Sequence, residues 1–512
     1  MNFRPGPGRA DERLAFSLGG RRDVTRAASH EDPERRSGPP SPAAASAASA
    51  RLDRPAPAEP RDWAFTWTLI FTAVLFFRPQ DVFPPLEALH LAEMSAIGGL
   101  VSLIVGRLAR RQSLTRMTPE FVGVLALGAI ILITAPFSIW FGGAVSVFTD
   151  LYLKVALVYL LAVNVLVSPK RIERLTWVLV LAIGYLAFRA VFDYARGVNL
   201  IANGTRVRGA VGGLMENPND LALHMVVFLP LALFMAMRPG SILQRLVAAS
   251  AGVFMLGAIV ASGSRGGFIG FVIMVIVLAV FAARQRPAVV VAGVLAVMCA
   301  LPLVPSQYWR RLASITDSSK DDYSTSDARK RLFGEAWDAF VDNPITGVGA
   351  GQFKNYKPLE RAEAWHETHN IWLQVAAELG IFGLAVFTFL VVRAFTAVWH
   401  TRRLLARLRV AAAAGLKPRG PFSRPLPAAP EISADDATLL DAHSAAMAAA
   451  LVGFVVCAFF SSVAYNWTFY YLLALTAAPR DILRERTPSL AARRRAAAAA
   501  PVLELDPRGA RV

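Results

Sequence analysis

The chain has 512 residues, of which 55% are hydrophobic, and its 54 basic and 37 acidic side chains give a net charge of +17. This composition excludes a set of several soluble domains, because a bilayer span needs about 20 apolar residues and the chain supplies many such runs. The basic residues lie in both tails and in alternate loops, a distribution typical of cytoplasmic loops and not of a nucleic-acid-binding surface.

The first 61 residues differ in composition from the rest. They are rich in Arg, Pro, Ala and Ser and have almost no apolar periodicity, so we predict a disordered cytoplasmic tail. The segment 41–50 contains Ala-x-Ala patterns without a preceding apolar region, so we do not predict a cleaved signal peptide. We predict that residues 480–512 form a second cytoplasmic tail.

The apolar runs between the tails predict an all-α fold, a polytopic transmembrane helical bundle of about twelve spans. Spans 1–9 occupy residues 62–304, span 10 residues 370–398, and spans 11–12 residues 443–479. The individual predicted spans are 63–77, 86–106, 120–138, 144–167, 174–194, 220–237, 243–261, 266–283, 288–304, 370–398, 443–463 and 465–479.

Every second loop is basic, which predicts the topology. The basic loops are 106–116, 168–174, 238–245, 284–286 and 399–442. The positive-inside rule places them in the cytoplasm together with both termini. The remaining loops then lie on the opposite face, which in a bacterium is the periplasmic face of the inner membrane.

The loop 305–369 is the largest predicted periplasmic segment. Leu332, Phe333, Ala336 and Trp337 follow helical spacing and alternate with charged residues, so we predict an amphipathic helix here. We expect Ser326 to cap its start and residues 343–344, Asn-Pro, to end it. Its apolar face would rest on the bundle or in the headgroup layer.

His369 lies directly before span 10, with Thr368 as the expected N-cap. A helix N-terminus favours an anion such as phosphate, and a neutral histidine beside it can accept a proton from a hydroxyl. The alternative is a capping or interfacial histidine without chemistry. His366 and His369 are three residues apart but no third ligand is evident, so we predict no metal site. Cys299 and Cys457 lie in apolar runs and are interpreted as packing residues.

Three arginines are predicted on the periplasmic face, where the positive-inside rule makes them unexpected. Arg265 lies between spans 7 and 8, and Arg206 and Arg208 lie in the glycine-containing loop before span 6. A guanidinium binds phosphate oxygens two at a time, which favours a diphosphate clamp. Snorkelling to the headgroups and ordinary turn residues are the alternatives.

Other charged residues lie near the outer ends of spans. We expect Arg189 to pair with Asp193, and Lys154 with Asp150, because each pair is four residues apart. Glu93 falls inside span 2 without an evident partner and is a functional candidate as an intramembrane carboxylate. The glycine-rich residues 347–351 lack a following Lys-Ser/Thr, so nucleotide binding is not predicted.

Several stretches over about residues 200–390 resemble the O-antigen ligase and O-antigen polymerase superfamily. They are Arg208-Gly209 leading to Asn217-Pro218-Asn219, residues 264–267 (Ser-Arg-Gly-Gly), Arg329 followed by residues 343–349 (Asn-Pro-Ile-Thr-Gly-Val-Gly) and Phe353, residues 369–374 (His-Asn-Ile-Trp-Leu-Gln), and residues 378–383 (Glu-Leu-Gly-Ile-Phe-Gly).

The resemblance implies transfer of a glycan from undecaprenyl diphosphate to an acceptor hydroxyl, without cofactor, metal or nucleotide. It implies Arg208 and Arg265 as diphosphate ligands and His369 as the catalytic base, with Arg206 competing with Arg208 for the first role. The further predicted substrate-binding residues are Asn217, Asn219, Arg329, Asn370, Glu378 and Arg189. The implied acceptor is lipid A core or another glycan or protein, and membrane lipids are the other partners.

Three alternatives stay open on the sequence. A polymerase would use a second undecaprenyl-linked glycan as acceptor; we favour the ligase because of the His-Asn motif and the large loop before it. A membrane transporter would place ionisable groups along a midplane path, whereas here they gather at one face apart from Glu93. A non-catalytic scaffold would make the external arginines and His369 incidental.

Overall fold

The computed structural model describes residues 62–202, 204–209, 215–283, 306–313, 325–362, 365–415 and 432–486, which belong to one unit beginning at Asp62. The predicted span 288–304, the tail 1–61, most of the tail 480–512 and Cys299 lie outside these residues.

The described residues are almost entirely helical. The helices are α1 (Trp63–Phe77), α2 (Leu91–Ala109), α3 (Pro119–Thr134), α4 (Phe141–Val165), α5 (Pro169–Ala195), α6 (Pro218–Met237), α7 (Ile242–Ser262), α8 (Arg265–Ala283), α9 (Ser306–Ala313), α10 (Thr325–Asp342), α11 (Ile371–Gly415), α12 (Ala434–Ala458) and α13 (Trp467–Arg486). Short helical turns cover Pro79–Val82, Pro84–Leu89, Ala135–Phe137 and Phe353–Asn355, and a two-stranded antiparallel hairpin pairs β1 (Leu200–Ile201) with β2 (Arg206–Val207).

Eight helical segments of the described residues are long and apolar enough to cross a membrane, and α1 and α8 are shorter apolar helices. The eight are Pro84–Ala109, Pro119–Phe137, Phe141–Val165, Pro169–Ala195, Pro218–Met237, Ile242–Ser262, Ile371–Val410 and Ala434–Ala458. The predicted all-α fold is confirmed for the described residues, and eleven of the twelve predicted spans coincide with a helix there, although α1, α8 and α13 are not among the eight.

The boundaries of the last three spans differ from the prediction. α11 continues from the predicted end at residue 398 to Gly415, and α12 begins at Ala434, so much of the predicted loop 399–442 is helical. α13 continues to Arg486 through Pro479. Arginine-rich turns have good helix propensity, so these helices extend beyond their apolar parts.

The helices divide into central and peripheral ones. Most of α6 is buried, including Met225, Val226 and Phe228, which are fully enclosed. By contrast, α2 exposes Ile97 (61%) and Val105 (60%). Exposed apolar side chains along a helix of 19 residues are the surface expected for contact with lipid tails.

Ion pairs connect the basic segments at one end of the bundle. They join the start of α1 to the start of α5, the loop before α3 to the end of α13, and α11 to α12. These pairs are Arg171–Asp62 (2.6 Å), Arg116–Glu485 (3.0 Å) and Arg409–Asp441 (2.9 Å), and Arg238 pairs with Glu173. The basic loops of the sequence therefore meet at a common end, as the alternation of charge predicts.

A buried ion network lies at the same end. Glu120 Oε1 accepts hydrogen bonds from Arg480 Nη1 at 2.6 Å and Arg393 Nε at 2.8 Å, and Arg480 Nε also donates to Asp481 at 2.7 Å. Glu120 and Arg480 are almost completely enclosed. The network joins α3, α11 and α13, and its charges are tolerated because each is paired and hydrogen-bonded.

A break in α11 positions the opposite end of the bundle. Gly380 has φ 64° and ψ −165°, a conformation available only to glycine, and the helix carbonyls before it are free to accept other donors. Val348 N donates to Ala377 O at 2.8 Å, and Ile381 N donates to Pro344 O at 2.8 Å. The segment 344–351 is thereby fixed against α11.

Candidate functional site

His369 lies at the mouth of the bundle, directly before α11. The N-cap of α11 is Asn370, whose Oδ1 accepts the N–H groups of Trp372 (2.9 Å) and Leu373 (3.1 Å). The prediction of Thr368 as N-cap is wrong. Thr368 Oγ1 instead donates to the Asn370 carbonyl at 2.9 Å and lies 3.0 Å from Ser462 Oγ, because it belongs to the turn that precedes the cap.

The backbone of His369 is held in an unusual conformation. Its φ is +48°, in the left-handed region that few non-glycine residues adopt, although Asn, Asp and His do so more often than the others. Its N–H donates to Ser462 Oγ at 2.9 Å, on the turn between α12 and α13. A left-handed residue that is fixed by a hydrogen bond from another element is common at functional sites, where surrounding structure imposes the strain.

Burial and neighbouring cations favour neutral His369. Desolvation, together with the positive charges of Arg329, His366 and Arg206, lowers the pKa of His369 to about 4. The imidazole is therefore uncharged at neutral pH and can accept a proton. An anion that neutralises the two arginines would raise this pKa, so the strength of the base depends on what the site binds.

Arg206 is fixed at the same mouth by the hairpin before α6. Its Nε donates to the Ser262 carbonyl at 2.9 Å and its Nη2 to Asn219 Oδ1 at 3.0 Å. By contrast, the side chain of Arg208 is exposed and forms no hydrogen bond or ion pair with the described residues; its backbone N–H donates to Asn199 O at 3.1 Å. Of the two arginines, Arg206 is the one directed to the junction of α6, α7 and α8.

The turn between α7 and α8 carries Arg265 as the first residue of α8, half-buried. Ser264 Oγ donates to Asn219 Oδ1 at 2.8 Å and accepts the N–H of Gly267 at 3.1 Å. Asn219 Oδ1 thus receives donors from Ser264 and Arg206 and ties the N-terminus of α6 to that of α8. Helix N-termini carry partial positive charge, which adds to the two guanidinium groups.

Arg329 is brought in by α10, the amphipathic helix of the outer segment. Its guanidinium lies over the ring of Phe460, 5.7 Å from the centroid. A Cβ on Gly266 would be 2.6 Å from that same ring, so the glycine lets Phe460 pack directly on α8. This packing places Arg329 close to the start of α8. The positive charge of Arg329 is also one of the charges that lower the pKa of His369.

The described part of the segment 305–369 contains the predicted helix. α10 spans Thr325–Asp342 and ends at the predicted Asn343-Pro344, although it begins one residue before the predicted cap Ser326. Arg361 Nε donates to Glu335 Oε2 at 2.7 Å, and its guanidinium lies 4.1 Å from the centroid of the Phe353 ring. Tyr356 and Lys357 bind Asp342, and these hydrogen bonds hold the pKa of Asp342 below its usual range. α10 is therefore fixed to the segment leading to His369.

Four other predicted substrate-binding residues have structural contacts. Asn217 caps α6 by accepting the N–H of Asn219 at 2.9 Å, as Asn370 caps α11. Glu378 is buried, and its Oε2 accepts the N–H of Gly351 and the hydroxyl of Tyr465, both at 2.9 Å. Arg189 donates to Tyr185 Oη at 3.2 Å and forms no hydrogen bond with the other described candidates.

The expected pairs Arg189–Asp193 and Lys154–Asp150 are wrong. Asp193 accepts from Asn199 Nδ2 at 2.8 Å, and Lys154 pairs with Glu93 at 3.2 Å. Glu93 lies in the first turn of α2, within the segment Pro84–Ala109 that is long and apolar enough to cross a membrane, and Lys154 is the partner that the sequence did not identify. The cause is tertiary packing of α2 against α4, which brings a better-placed carboxylate to the lysine.

Ser462, Phe460 and Ser264 are contacts that the sequence argument did not identify. Ser462 lies at the end of the predicted span 443–463, and nothing in the local sequence indicates that it holds His369. Within the ranges that the structure describes, no group of three or more His, Cys, Asp or Glu side chains could hold a metal ion. The candidate site therefore combines the guanidinium groups of Arg206, Arg265 and Arg329 with the neutral imidazole of His369.

Residues 250–388 match the family model described as O-antigen ligase. The matched segment contains Arg265, Arg329 and His369, and it begins after Arg206 and Asn219. No curated protein matches the chain. The predicted relationship to the O-antigen ligase and polymerase superfamily is confirmed over these residues, about a quarter of the chain, and the match supports an enzyme.

Proposed function

We propose that this protein, whose residues 250–388 match the O-antigen ligase family, transfers a glycan from undecaprenyl diphosphate to an acceptor hydroxyl. The acceptor in this proposal is lipid A core or a similar glycan, and the reaction takes place on the periplasmic face of a bacterial inner membrane. The observation that supports it best is the convergence of Arg206 and Arg329 on neutral His369 at one mouth of a membrane bundle.

The orientation is supported by the charges at the two ends. The basic segments joined by Arg171–Asp62 and Arg116–Glu485 gather at the end opposite His369, and the positive-inside rule assigns such an end to the cytoplasm. The candidate site then faces the periplasm.

The proposed reaction is a direct displacement at the anomeric carbon. The acceptor oxygen forms a bond to that carbon while the bond to the diphosphate oxygen breaks, and the hydroxyl proton passes to His369. Arg206, Arg265 and Arg329 stabilise the negative charge that develops on the diphosphate, and they do so strongly because the mouth is partly desolvated. While the diphosphate is bound, its negative charge offsets the positive charges of Arg329 and Arg206, which otherwise lower the pKa of His369.

Arg206 replaces Arg208 as the proposed first diphosphate ligand. Its guanidinium already has a fixed orientation through Asn219 and Ser262, and a preorganised donor loses less entropy on binding than an exposed side chain does. Asn217, Asn370 and Glu378 are proposed to position the site and not to touch the substrate.

A deletion strain tests this function by lipopolysaccharide electrophoresis. Loss of long glycan on lipid A core with accumulation of undecaprenyl-linked polymer supports the ligase. Single repeat units attached to core would instead indicate a polymerase, and an unchanged profile would contradict both activities.

Complementation separates the site from the fold. We expect Arg265→Ala to fail in restoring glycan transfer while its membrane level equals wild type. Arg174→Ala is the matched control, because Arg174 is an exposed arginine at the opposite end, and it should restore the profile. Full transfer by the Arg265→Ala variant would remove the diphosphate clamp from the proposal.

A further inference from the structure

An apolar groove lies between α8, α11 and α12, far from His369. Its volume is about 420 Å³, and its apolar lining includes Val277, Phe281, Phe395 and Val452. α11 and α12 are long and apolar enough to cross a membrane and α8 is a shorter apolar helix, so we expect the groove to open where lipid tails lie. A cavity of this size and composition accepts part of an acyl chain.

Two arginines line one end of the groove. The Arg402 guanidinium lies 4.4 Å from the centroid of the Phe281 ring, and that of Arg403 lies 4.9 Å from the Trp399 ring. Stacking on an aromatic ring orients the planar guanidinium while its N–H groups stay available to oxygen acceptors. The arrangement combines an apolar slot with two oriented cations.

The local charge balance is positive. Asp441 is shared by two arginines, at 2.9 Å from Arg409 Nη2 and 3.6 Å from Arg402 Nη1. Arg403 has no acidic partner among the residues that the structure describes. Asp441 thus pairs with two of these three arginines, and the three guanidinium groups together exceed it by about two positive charges, which favours an anionic ligand.

The depth of these arginines fits the headgroup layer. After the break at Gly380, α11 rises over twenty-one residues from Ile381 to Arg402, about 32 Å at 1.5 Å per residue. The hydrocarbon core of a bilayer is about 30 Å thick. With His369 at one surface, the two arginines reach the headgroups of the opposite leaflet, and the groove extends from them toward the tails.

We infer that this groove binds an anionic glycerophospholipid of the leaflet opposite the candidate site, with its phosphate on Arg402 and Arg403 and an acyl chain in the slot. Basic pockets between transmembrane helices bind anionic headgroups on the cytoplasmic side of other membrane proteins. The inference concerns a second lipid site and does not depend on the proposed glycan transfer. Binding there would clamp α8, which carries Arg265, to α11, which follows His369.

Native mass spectrometry and thermal unfolding of the purified full chain test this inference. Phosphatidylglycerol, cardiolipin and phosphatidylcholine would each be added to the protein in detergent. We expect the two anionic lipids to be retained and to raise Tm more than phosphatidylcholine does, because binding to the folded state alone stabilises it. The Arg402→Gln/Arg403→Gln double variant should lose this difference, and higher salt should weaken it.

Two further variants separate headgroup binding from groove binding. Arg407→Gln removes an exposed arginine from the same helix and should keep the preference for anionic lipids, although the double variant removes one charge more. Val452→Phe fills the slot and should reduce retention of phosphatidylglycerol by about tenfold without changing any charge. Equal Tm gains with all three lipids, an unchanged preference in the double variant, or retention of a polyprenyl diphosphate at this groove would overturn the inference.

Discussion

Ser462 Oγ accepts the backbone N–H of His369 at 2.9 Å, so the turn between α12 and α13 fixes the backbone of the proposed base. The same hydroxyl lies 3.0 Å from Thr368 Oγ1. The left-handed conformation of His369 is therefore imposed by a neighbouring element and not by its own helix.

Ser462→Ala removes that bond without touching a substrate-binding group. We expect the rate of glycan transfer to fall about tenfold, because one hydrogen bond contributes about 1 kcal/mol and misplacement of the imidazole affects the reacting geometry. A transfer assay in membranes at matched protein levels measures it. Ser444→Ala is the control, since Ser444 is buried in α12 and donates only to Leu440 O. Equal rates for both variants would contradict the positioning role.

The variants Arg206→Gln and Arg208→Gln test which of these two arginines binds the diphosphate. We expect the first to reduce kcat by about 10²-fold, because it removes an oriented charge that stabilises the leaving diphosphate. Arg208 is exposed, and its replacement should change transfer little. Kinetics with a purified lipid-linked donor measure both variants. A larger loss for Arg208→Gln than for Arg206→Gln would restore the assignment that the sequence favoured.

The pH dependence of glycan transfer should show how the positive charges around His369 affect its pKa. With its pKa at about 4, the imidazole of the free protein stays neutral from pH 5 to 8, and kcat/KM should lose no activity there through this group. Arg329→Gln removes a positive neighbour, which favours the protonated imidazole and raises the pKa, so the acid limb should move to higher pH.

Lys330→Gln is the control for that shift, because Lys330 is an exposed neighbour on α10 that pairs with Asp327 at 3.3 Å. The pH of half-maximal kcat/KM is the readout, since Arg329 is also proposed to bind the donor and its loss lowers the rate itself. An acid limb that stays in place or moves to lower pH in Arg329→Gln would show that this charge does not act on the base.

Gly380→Ala should destabilise the bundle by more than about 2 kcal/mol. Gly380 has φ 64°, and an added Cβ would be 2.4 Å from Ile345 O, so backbone must move. Thermal unfolding in detergent measures the change. Gly334→Ala is the control, because Gly334 is exposed in α10 with no atom near a new Cβ, and alanine there should be neutral or stabilise by about 0.5–1 kcal/mol. Similar Tm values for the two variants would contradict the helix break.

Glu120→Gln should lower stability by about 3–5 kcal/mol, because it leaves the buried Arg480 and Arg393 without their shared carboxylate. Glu485→Gln breaks the exposed pair with Arg116 and should cost about 1 kcal/mol or less. Chemical unfolding in detergent compares them, and a loss for Glu120→Gln no larger than that for Glu485→Gln would show that the network contributes little.

Much of the architecture could be predicted from local sequence. Eleven predicted spans coincide with helices because each depends on a continuous run of apolar residues, most of them close to the length that a bilayer core requires. The extensions of α11 to Gly415 and of α13 to Arg486 could not be predicted from hydropathy, because their charged turns are stabilised by helix propensity and by contacts to other helices.

Sequence by itself determined the almost entirely helical fold and the alternation of basic loops, and it singled out His369 and Arg265 as candidates, since hydropathy and charge act along the chain. Only the tertiary structure decided that Arg206 and not Arg208 meets Asn219, that Glu93 pairs with Lys154, and that Ser462 holds His369. Those contacts join residues far apart in the chain, and their distances depend on how the helices pack, which no local pattern of residues encodes.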